Sequence, residues 1–238
     1  MEGEDWKMNT VKNGFVEAID AQVAARSLLT HPFYQAWTRG ELTLEALRDY
    51  ATQYYHHVAA FPTYLSSVHS HTEDQAARRL ILENLMDEEA GHPNHPELWL
   101  RFAETLGADR DAVQKAEQRD ETKNLIGTFR SICRDRSTTE GLAALYAYES
   151  QIPAVSETKI DGLKKFYNIT TPNGLGYFDV HIVADKEHSR VERNLLGASI
   201  NEQNAPAVTK SVDDTLDALW EMLSGMCHKN GITCEANN

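Results

Sequence analysis

Two histidines and an aspartate near residue 185 have the spacing of a metal site. In the segment FDVHIVADKEHSR, His181, Asp185 and His188 stand at positions i, i+4 and i+7. Residues at this spacing project from one narrow face of a helix, because each residue advances by about 100°. A lone histidine on a helix is most often a surface or core residue. Two imidazoles and a carboxylate on one stripe are instead typical of ligands for a mid-row transition metal.

Two pairs of residues in the segment NLMDEEAGHPNHPELW compete to supply further ligands. Glu88 and His95 are seven residues apart, which returns to nearly the same angular position after two turns of helix. Glu89 and His92 have the i, i+3 spacing found in carboxylate-bridged di-iron bundles. Two nearby prolines make a regular helix difficult here, so spacing alone leaves the choice open. A solvated acidic turn without any metal is the alternative.

Glu149 is a further candidate, in the apolar and aromatic segment LAALYAYESQIP. A carboxylate that points from such a segment into the core must be paired or metal-bound to offset its lost hydration. Together with one Glu–His pair and the helix of His181, it gives three histidines and three carboxylates. This set is enough for two metal ions with open coordination positions, and its hard donors suit iron or manganese. The alternatives are a single structural metal or a buried polar network without metal.

Helices are expected to position all of these residues. Apolar residues recur at intervals of three and four along most of the chain, and no sustained alternation predicts a strand, so the fold class is all-α. Thr43 is a predicted N-cap, Thr72 with Gln75 and Ser137 with Glu140 are predicted capping boxes, and Pro62 is expected to kink or divide its helix. Pro153 is expected to kink another. The predicted helices cover residues 14–29, 31–40, 43–70, 73–90, 94–106, 122–133, 137–167, 176–196 and 207–226, with a short exposed helix or loop at 109–120.

The chain of 238 residues is long enough for one substantial core. We predict a single helical di-metal domain over residues 14–228, between a disordered N-terminal segment, 1–13, and a disordered tail, 229–238. The three cysteines include no C-x-x-C pair, so neither a disulfide framework nor a cysteine zinc site is indicated.

The charge balance excludes several classes of partner. The chain has 23 basic and 36 acidic residues, a formal net charge of −13, which repels nucleic acid and anionic lipid surfaces. No apolar run approaches the roughly 20 residues of a membrane span. The start of the chain, MEGEDWKMNT, lacks the basic and apolar regions of a secretory signal. We therefore predict a cytoplasmic protein that binds neither nucleic acid nor membrane.

Five segments together resemble one known family. HPFYQAW, DYATQYYHHVAAFPTYLSSVHS, LMDEEAGHPNH, LYAYESQIP and FDVHIVADKEH are similar to the family of the Chlamydia protein associating with death domains. Its members are haem-oxygenase-like di-metal oxidases, related to the PQQ-biosynthesis oxidase (PqqC) and thiaminase (TenA) families. The resemblance covers residues 30–196 and implies a seven-helix bundle that binds no haem. It also implies the choice of Glu88 with His95, which gives the ligand set Glu88, His95, Glu149, His181, Asp185 and His188.

The resemblance further implies an activity. Members of this family are implicated in making para-aminobenzoate for folate by cutting it out of their own tyrosine side chain, with dioxygen, an external reductant and two metal ions, Fe/Fe or Mn/Fe. Each molecule then turns over once. The sacrificed tyrosine matches Tyr34 and the essential lysine matches Lys159. Other tyrosines can relay radicals, although most are expected to be core residues.

Two other functions remain open at this point. A PQQ-biosynthesis-like oxidase would act on an external small ring compound, with one metal or none. A non-catalytic helical binding module would neither bind iron nor consume O2. No motif supports binding to death domains. The sequence also leaves open the identity of each metal, the source of the amino nitrogen, the reductant and the oligomeric state, for which a homodimer is one candidate.

Overall fold

Every regular element in the described part of the chain, residues 14–233, is helical in the computed structural model. This confirms the all-α prediction. Short helices raise the number of α-helices in these residues to eleven, above the seven expected of the bundle. The helices are α1 Gly14–Ala25, α2 Pro32–Arg39, α3 Leu44–Ser70, α4 Gln75–Glu89, α5 His95–Thr105, α6 Arg110–Lys115, α7 Asp120–Asp135, α8 Thr138–Glu149, α9 Ile152–Tyr167, α10 Pro172–Ser199 and α11 Ala205–Lys229.

The predicted disorder at the two ends of the chain is not tested by this structure. Residues 1–13 and 234–238 lie outside the described residues. Helix α11 continues to Lys229, and the amide of Ile232 donates a hydrogen bond to the carbonyl of Cys227. The domain boundary at residue 228 stays a prediction.

Helix α3 is a single uninterrupted helix that crosses the core. The Thr43 side chain accepts a hydrogen bond from the amide of Ala46, which confirms the predicted N-cap. Pro62 lies inside the helix without dividing it. A proline removes only one backbone donor, and its neighbours Phe61 and Tyr64 are buried in the core, which stabilises the helix on either side. The predicted stripe is buried along its whole length: Leu47, Tyr50, Tyr54, Val58, Phe61, Leu65 and Val68.

The segment 137–167 forms two helices, so the prediction of one kinked helix is wrong. Helix α8 starts at the predicted capping box of Ser137 and Glu140 and ends at Glu149. Helix α9 begins at Ile152, with Pro153 in its first turn. A proline has no N–H to donate to the carbonyl four residues earlier, so the first helix stops and a second one starts. Glu149 and Lys159 are therefore on different helices.

The start of α4 also differs from the prediction. The N-cap is Asp74, whose side chain accepts a hydrogen bond from the amide of Ala77. Thr72 instead donates its hydroxyl proton to the carbonyl of Val68, which closes α3. The predicted capping box at Thr72 and Gln75 is wrong because an aspartate two residues later caps the same helix.

Four helices bring the candidate ligands together. Helix α10 packs against α4, α5, α8 and α9, and α3 packs against α4, α5, α7 and α8. The buried apolar side chains form one continuous core. Within residues 14–233, no helix is long and apolar enough to cross a membrane.

Candidate metal centre

The face of α10 that carries His181, Asp185 and His188 is turned into the protein. The three residues are 3%, 1% and 8% exposed, so the one-face prediction from their spacing is confirmed. Thr171 caps this helix, and Pro172 occupies its first position. The helix is about a turn longer at its start than predicted, which places the ligand face near its middle.

Glu88, His95 and His181 form the first group of candidate ligands. One donor atom from each lies within 4.8 Å of the others. His95 Nδ1 is 2.8 Å from Glu88 Oε2, and His181 Nε2 is 4.0 Å from Glu88 Oε1. Glu89 and His92, the competing pair, are exposed. The structure therefore brings Glu88 and His95 to the site and leaves Glu89 and His92 outside it.

Glu149, Asp185 and His188 form the second group, again with donor atoms within 4.8 Å of one another. His188 Nδ1 is 3.5 Å from Asp185 Oδ1 and 3.6 Å from Glu149 Oε1. The Asn84 amide donates to both Glu149 oxygens, at 3.0 and 3.3 Å. The break between α8 and α9 leaves Glu149 as the last residue of α8, where its side chain reaches this group.

Hydrogen bonds on the outer ring nitrogens orient two of the histidines. His181 Nδ1 lies 2.6 Å from the carbonyl of Tyr177, and His188 Nε2 lies 3.1 Å from Asp87 Oδ2. In the neutral ring, a nitrogen that donates its proton to an oxygen leaves the other nitrogen unprotonated and free to bind a metal. This arrangement directs His181 Nε2 and His188 Nδ1 toward the centre.

The donors fit a pair of metal ions. Residues of both groups, Glu88 and His181 with Glu149 and Asp185, line one small cavity of about 10 Å³. Both oxygens of Asp185 and Nδ1 of His188 are buried without a hydrogen-bond partner at normal distance. Buried polar atoms in this state call for a cation or a proton. Three carboxylates and three imidazoles are donors that suit iron or manganese.

The electrostatics of the second group also favour a bound cation. Burial raises the pKa of Asp185 to about 8, and the neighbouring Glu149 carboxylate adds to this. Burial opposes the charged form of His188, but its contacts with Asp185 and Glu149 outweigh that effect and raise its pKa to about 11. Without metal, this group of acids therefore holds protons that a metal ion would displace.

Lys159 is buried, at 3% exposure, and not solvated as most lysines are. Its Nζ donates a hydrogen bond to the Tyr50 hydroxyl at 2.7 Å. Burial lowers the pKa of Lys159 to about 7, so a large share of this amine is neutral near pH 7. The Nζ atom lies 4.9–5.9 Å from the centres of six aromatic rings, those of Tyr34, Trp37, Tyr50, Tyr54, Trp99 and Phe178.

Tyr34 is buried beside Lys159, but it does not line the metal cavity. Its hydroxyl is 3.3 Å from that of Tyr50. The cavity wall contains Tyr148 and Tyr177 instead.

A continuous series of aromatic contacts joins Tyr34 to the cavity. The rings of Tyr50 and Tyr54 are 5.1 Å apart. The hydroxyls of Tyr54 and Tyr148 are 2.8 Å apart, and Tyr148 lines the cavity. Tyr177 also lines the cavity, and its ring is 4.1 Å from the ring of His181.

Three polar residues at the site escaped the sequence analysis. Asn84 and Asp87 contact Glu149 and His188, and Glu192 is buried next to Glu149. The helical spacing of Asn84 and Glu192 could have indicated two of these residues. Asn84 is four residues before Glu88, and Glu192 is four residues after His188, so each lies on the ligand face of its helix.

The fold and the site define a class of protein. A domain of unknown function from Shewanella denitrificans, with a heme oxygenase-like fold, superposes with a TM-score of 0.74 at 17% identity, over 93% of this chain and 96% of that one. The haem-oxygenase-like fold that the sequence predicted is therefore confirmed.

A family model described as iron-containing redox enzyme matches residues 48–220. The 4-aminobenzoate synthase of Nitrosomonas europaea is 44% identical, over 94% of this chain and 96% of that protein. The 4-aminobenzoate synthase of Chlamydia pneumoniae is 41% identical, over 88% and 93%. The chain belongs to the iron-containing redox enzymes, a family of oxidoreductases, and its predicted resemblance to the chlamydial family is confirmed.

Proposed function

We propose that this protein makes para-aminobenzoate, the 4-aminobenzoate of its relatives' names, from its own Tyr34 side chain with O2 and an external reductant. The observation that carries the proposal is the placement of a partly neutral lysine, a buried tyrosine pair and a set of six metal-type donors in one connected interior. Relatives of 44% and 41% identity that are 4-aminobenzoate synthases support the product.

Glu88, His95 and His181 would hold one metal ion, and Glu149, Asp185 and His188 the other. When bound, an iron or manganese pair supplies the chemistry of reducing O2 to a strong oxidant. The residues around it largely shield it from water, since all six donors are at most 8% exposed. Asn84 and Asp87 hold Glu149 and His188 in position through their hydrogen bonds.

The tyrosines carry the oxidation from the cavity to Tyr34. Tyr148, at the cavity wall, can give up an electron and its hydroxyl proton at the cavity, and the phenoxyl radical so formed can take a hydrogen atom from the Tyr54 hydroxyl across the 2.8 Å contact, which restores Tyr148. Tyr50 can then give up an electron to Tyr54 across their ring contact, together with its hydroxyl proton, and Tyr34 can do the same toward Tyr50 across the 3.3 Å hydroxyl contact, so that the oxidised state reaches Tyr34. Most of these phenols have no charged partner, and burial raises the pKa of Tyr34 and Tyr50, so each stays protonated until it is oxidised.

Lys159 is placed to act at the tyrosine pair. Its neutral amine has a free electron pair and lies 2.7 Å from the Tyr50 oxygen. It can therefore accept the phenolic proton as Tyr50 is oxidised. The same electron pair makes it a candidate source of the amino nitrogen of the product.

The experiment that tests this function follows the Tyr34 side chain. Purified protein loaded with Fe(II), or with Fe(II) and Mn(II), is incubated with reductant and O2, and the peptide that contains Tyr34 is analysed by mass spectrometry. The expected result is a peptide that has lost most of its ring mass, with at most one product molecule per chain. Tyr34→Phe should form no product while it binds metal and keeps its helical content.

Tyr55→Phe is the matched control, because Tyr55 is only partly buried and lies outside the relay. It should form product as the wild type does. An external aromatic compound that supports many turnovers, with the Tyr34 peptide intact, would contradict self-sacrifice and favour the PQQ-biosynthesis-like oxidase. Absence of both iron binding and O2 consumption would favour a binding module.

A further inference from the structure

Glu192 is a buried carboxylate to which the metal centre described above gives no role. It is 4% exposed, and neither of its oxygens has a hydrogen-bond donor among the described residues. It forms none of the ion pairs found in residues 14–233. An ionised carboxylate in this state loses its hydration without compensation, so a native fold retains one only where a cation or a proton joins it.

Glu192 shares the ligand face of α10. It follows His181 by eleven residues, a rotation of about 1,100° or roughly 20° past three full turns, so its side chain leaves the helix in nearly the same direction. His181, Asp185 and His188 are the other buried polar residues of this stripe. The stripe therefore continues one turn beyond the last predicted ligand.

The carboxyl group of Glu192 meets that of Glu149. The two carboxyl groups interact with each other, and Asp185 is the other acid that acts on Glu192. Two carboxylates in contact repel each other unless something positive lies between them. Asn84 already donates to Glu149 and leaves Glu192 without a donor.

A cleft between α4 and α10 gives small ions a route to this pair. Its volume is about 160 Å³, and its wall includes Glu192, His188 and Asn84. Asp87, whose side chain is 62% exposed, stands at its outer end, where it contacts His188. The acidic groups of the cleft wall are Glu83, Asp87, Glu187 and Glu192.

We propose that Glu192 is a further ligand of the divalent metal ion held by Glu149, Asp185 and His188, so that this position takes three carboxylates and one imidazole. The inference rests on the proposed di-metal function. An ion between Glu149 and Glu192 satisfies both carboxylates at once. It also makes this position harder and more negative than the one at Glu88, which has a single carboxylate and two imidazoles.

Glu192→Gln tests the proposal, because glutamine keeps the shape and can donate a hydrogen bond to Glu149 but lacks the negative oxygen. Metal-free protein is dialysed anaerobically against a series of free Fe(II) or Mn(II) concentrations, and the bound metal is measured. Wild type should bind two ions. Glu192→Gln should bind one ion as wild type does and the other at least about tenfold more weakly.

Asp179→Asn is the matched control, since it removes the same charge from the same helix at an exposed position outside the cleft. It should bind both ions as wild type does. Thermal melting gives a second readout: metal should raise the Tm of Glu192→Gln by less than it raises that of wild type, while the metal-free variant melts no lower than metal-free wild type.

Three results would overturn the proposal. If Glu192→Gln binds both ions as tightly as wild type, Glu192 only shares a proton with Glu149. If the metal-free variant loses its fold, the carboxyl group serves the core rather than the metal. If wild type itself binds fewer than two ions, the proposed di-metal centre fails and the ligand role of Glu192 fails with it.

Discussion

Replacing Lys159 by methionine tests the buried amine through the pH dependence of stability. Methionine is unbranched and of similar length, so it fills the same space among the six rings without a charge. The pKa of Lys159 falls from 10.5 to about 7 on burial. At about 1.4 kcal/mol per pKa unit, burying the protonated amine costs about 5 kcal/mol.

The sign of the effect follows from which state holds the proton. Below pH 7 both the folded and the unfolded protein keep Lys159 protonated, so the folded protein is destabilised by the full free energy of burying the charged amine. Between about pH 7 and 10.5 the unfolded chain holds more protons, so the free energy of unfolding of the wild type rises with pH. The methionine variant lacks this contribution at every pH.

The expected result is a variant more stable than wild type, by an amount that shrinks as pH rises. Loss of the hydrogen bond to Tyr50 lowers the stability of the variant by about 1 kcal/mol. The net gain is then about 4 kcal/mol at pH 6 and about 1 kcal/mol at pH 9. Urea unfolding of the metal-free proteins, followed by far-ultraviolet circular dichroism at pH 6, 7, 8 and 9, measures this difference.

Lys164→Met, at an exposed position of the same helix, is the control and should show no such trend. A difference between Lys159→Met and wild type that stays constant from pH 6 to pH 9 would refute the reasoning. It would mean that Lys159 keeps its charge in the folded protein. The neutral amine on which its proposed role depends would then be absent.

Two further substitutions test the site and its support. Asp185→Ala removes one carboxylate from the buried face of α10, so elemental analysis should find fewer than two metal ions per chain. The circular dichroism spectrum of the variant should stay helical. Full metal occupancy would count against a ligand role for Asp185. Gly162→Ala places a methyl group 2.6 Å from the buried Trp37 ring. The cost of this overpacking should exceed the stability gained from the higher helix propensity of alanine, so the free energy of unfolding, measured by urea denaturation, should fall by up to about 2 kcal/mol. An unchanged or higher stability would show that Trp37 can move aside.

The sequence determined the fold class and much of the site because helical periodicity is local. The stripe of α3 and the face of α10 follow from residues that recur at intervals of three and four, and both are buried as predicted. The ends of a helix are harder to predict, because neighbouring polar side chains compete to cap it and a proline can either bend a helix or start a new one. Asp74 caps α4 in place of Thr72, and Pro153 starts a new helix where a kink was expected.

Contacts between helices could be decided only by the tertiary structure. Spacing left Glu88 with His95 and Glu89 with His92 as equal choices, and only the family resemblance favoured the first pair. Packing of α4 against α5 and α10 buries that pair and exposes the second.

The position of Tyr34 was also beyond the sequence. It does not line the cavity, and its contacts lead there through Tyr50 and Tyr54, which belong to α3, and then through Tyr148. Which side chains stand between two points of a core depends on how distant parts of the chain pack. The same holds for Lys159, whose pKa is lowered by neighbours from several helices rather than by its own sequence surroundings.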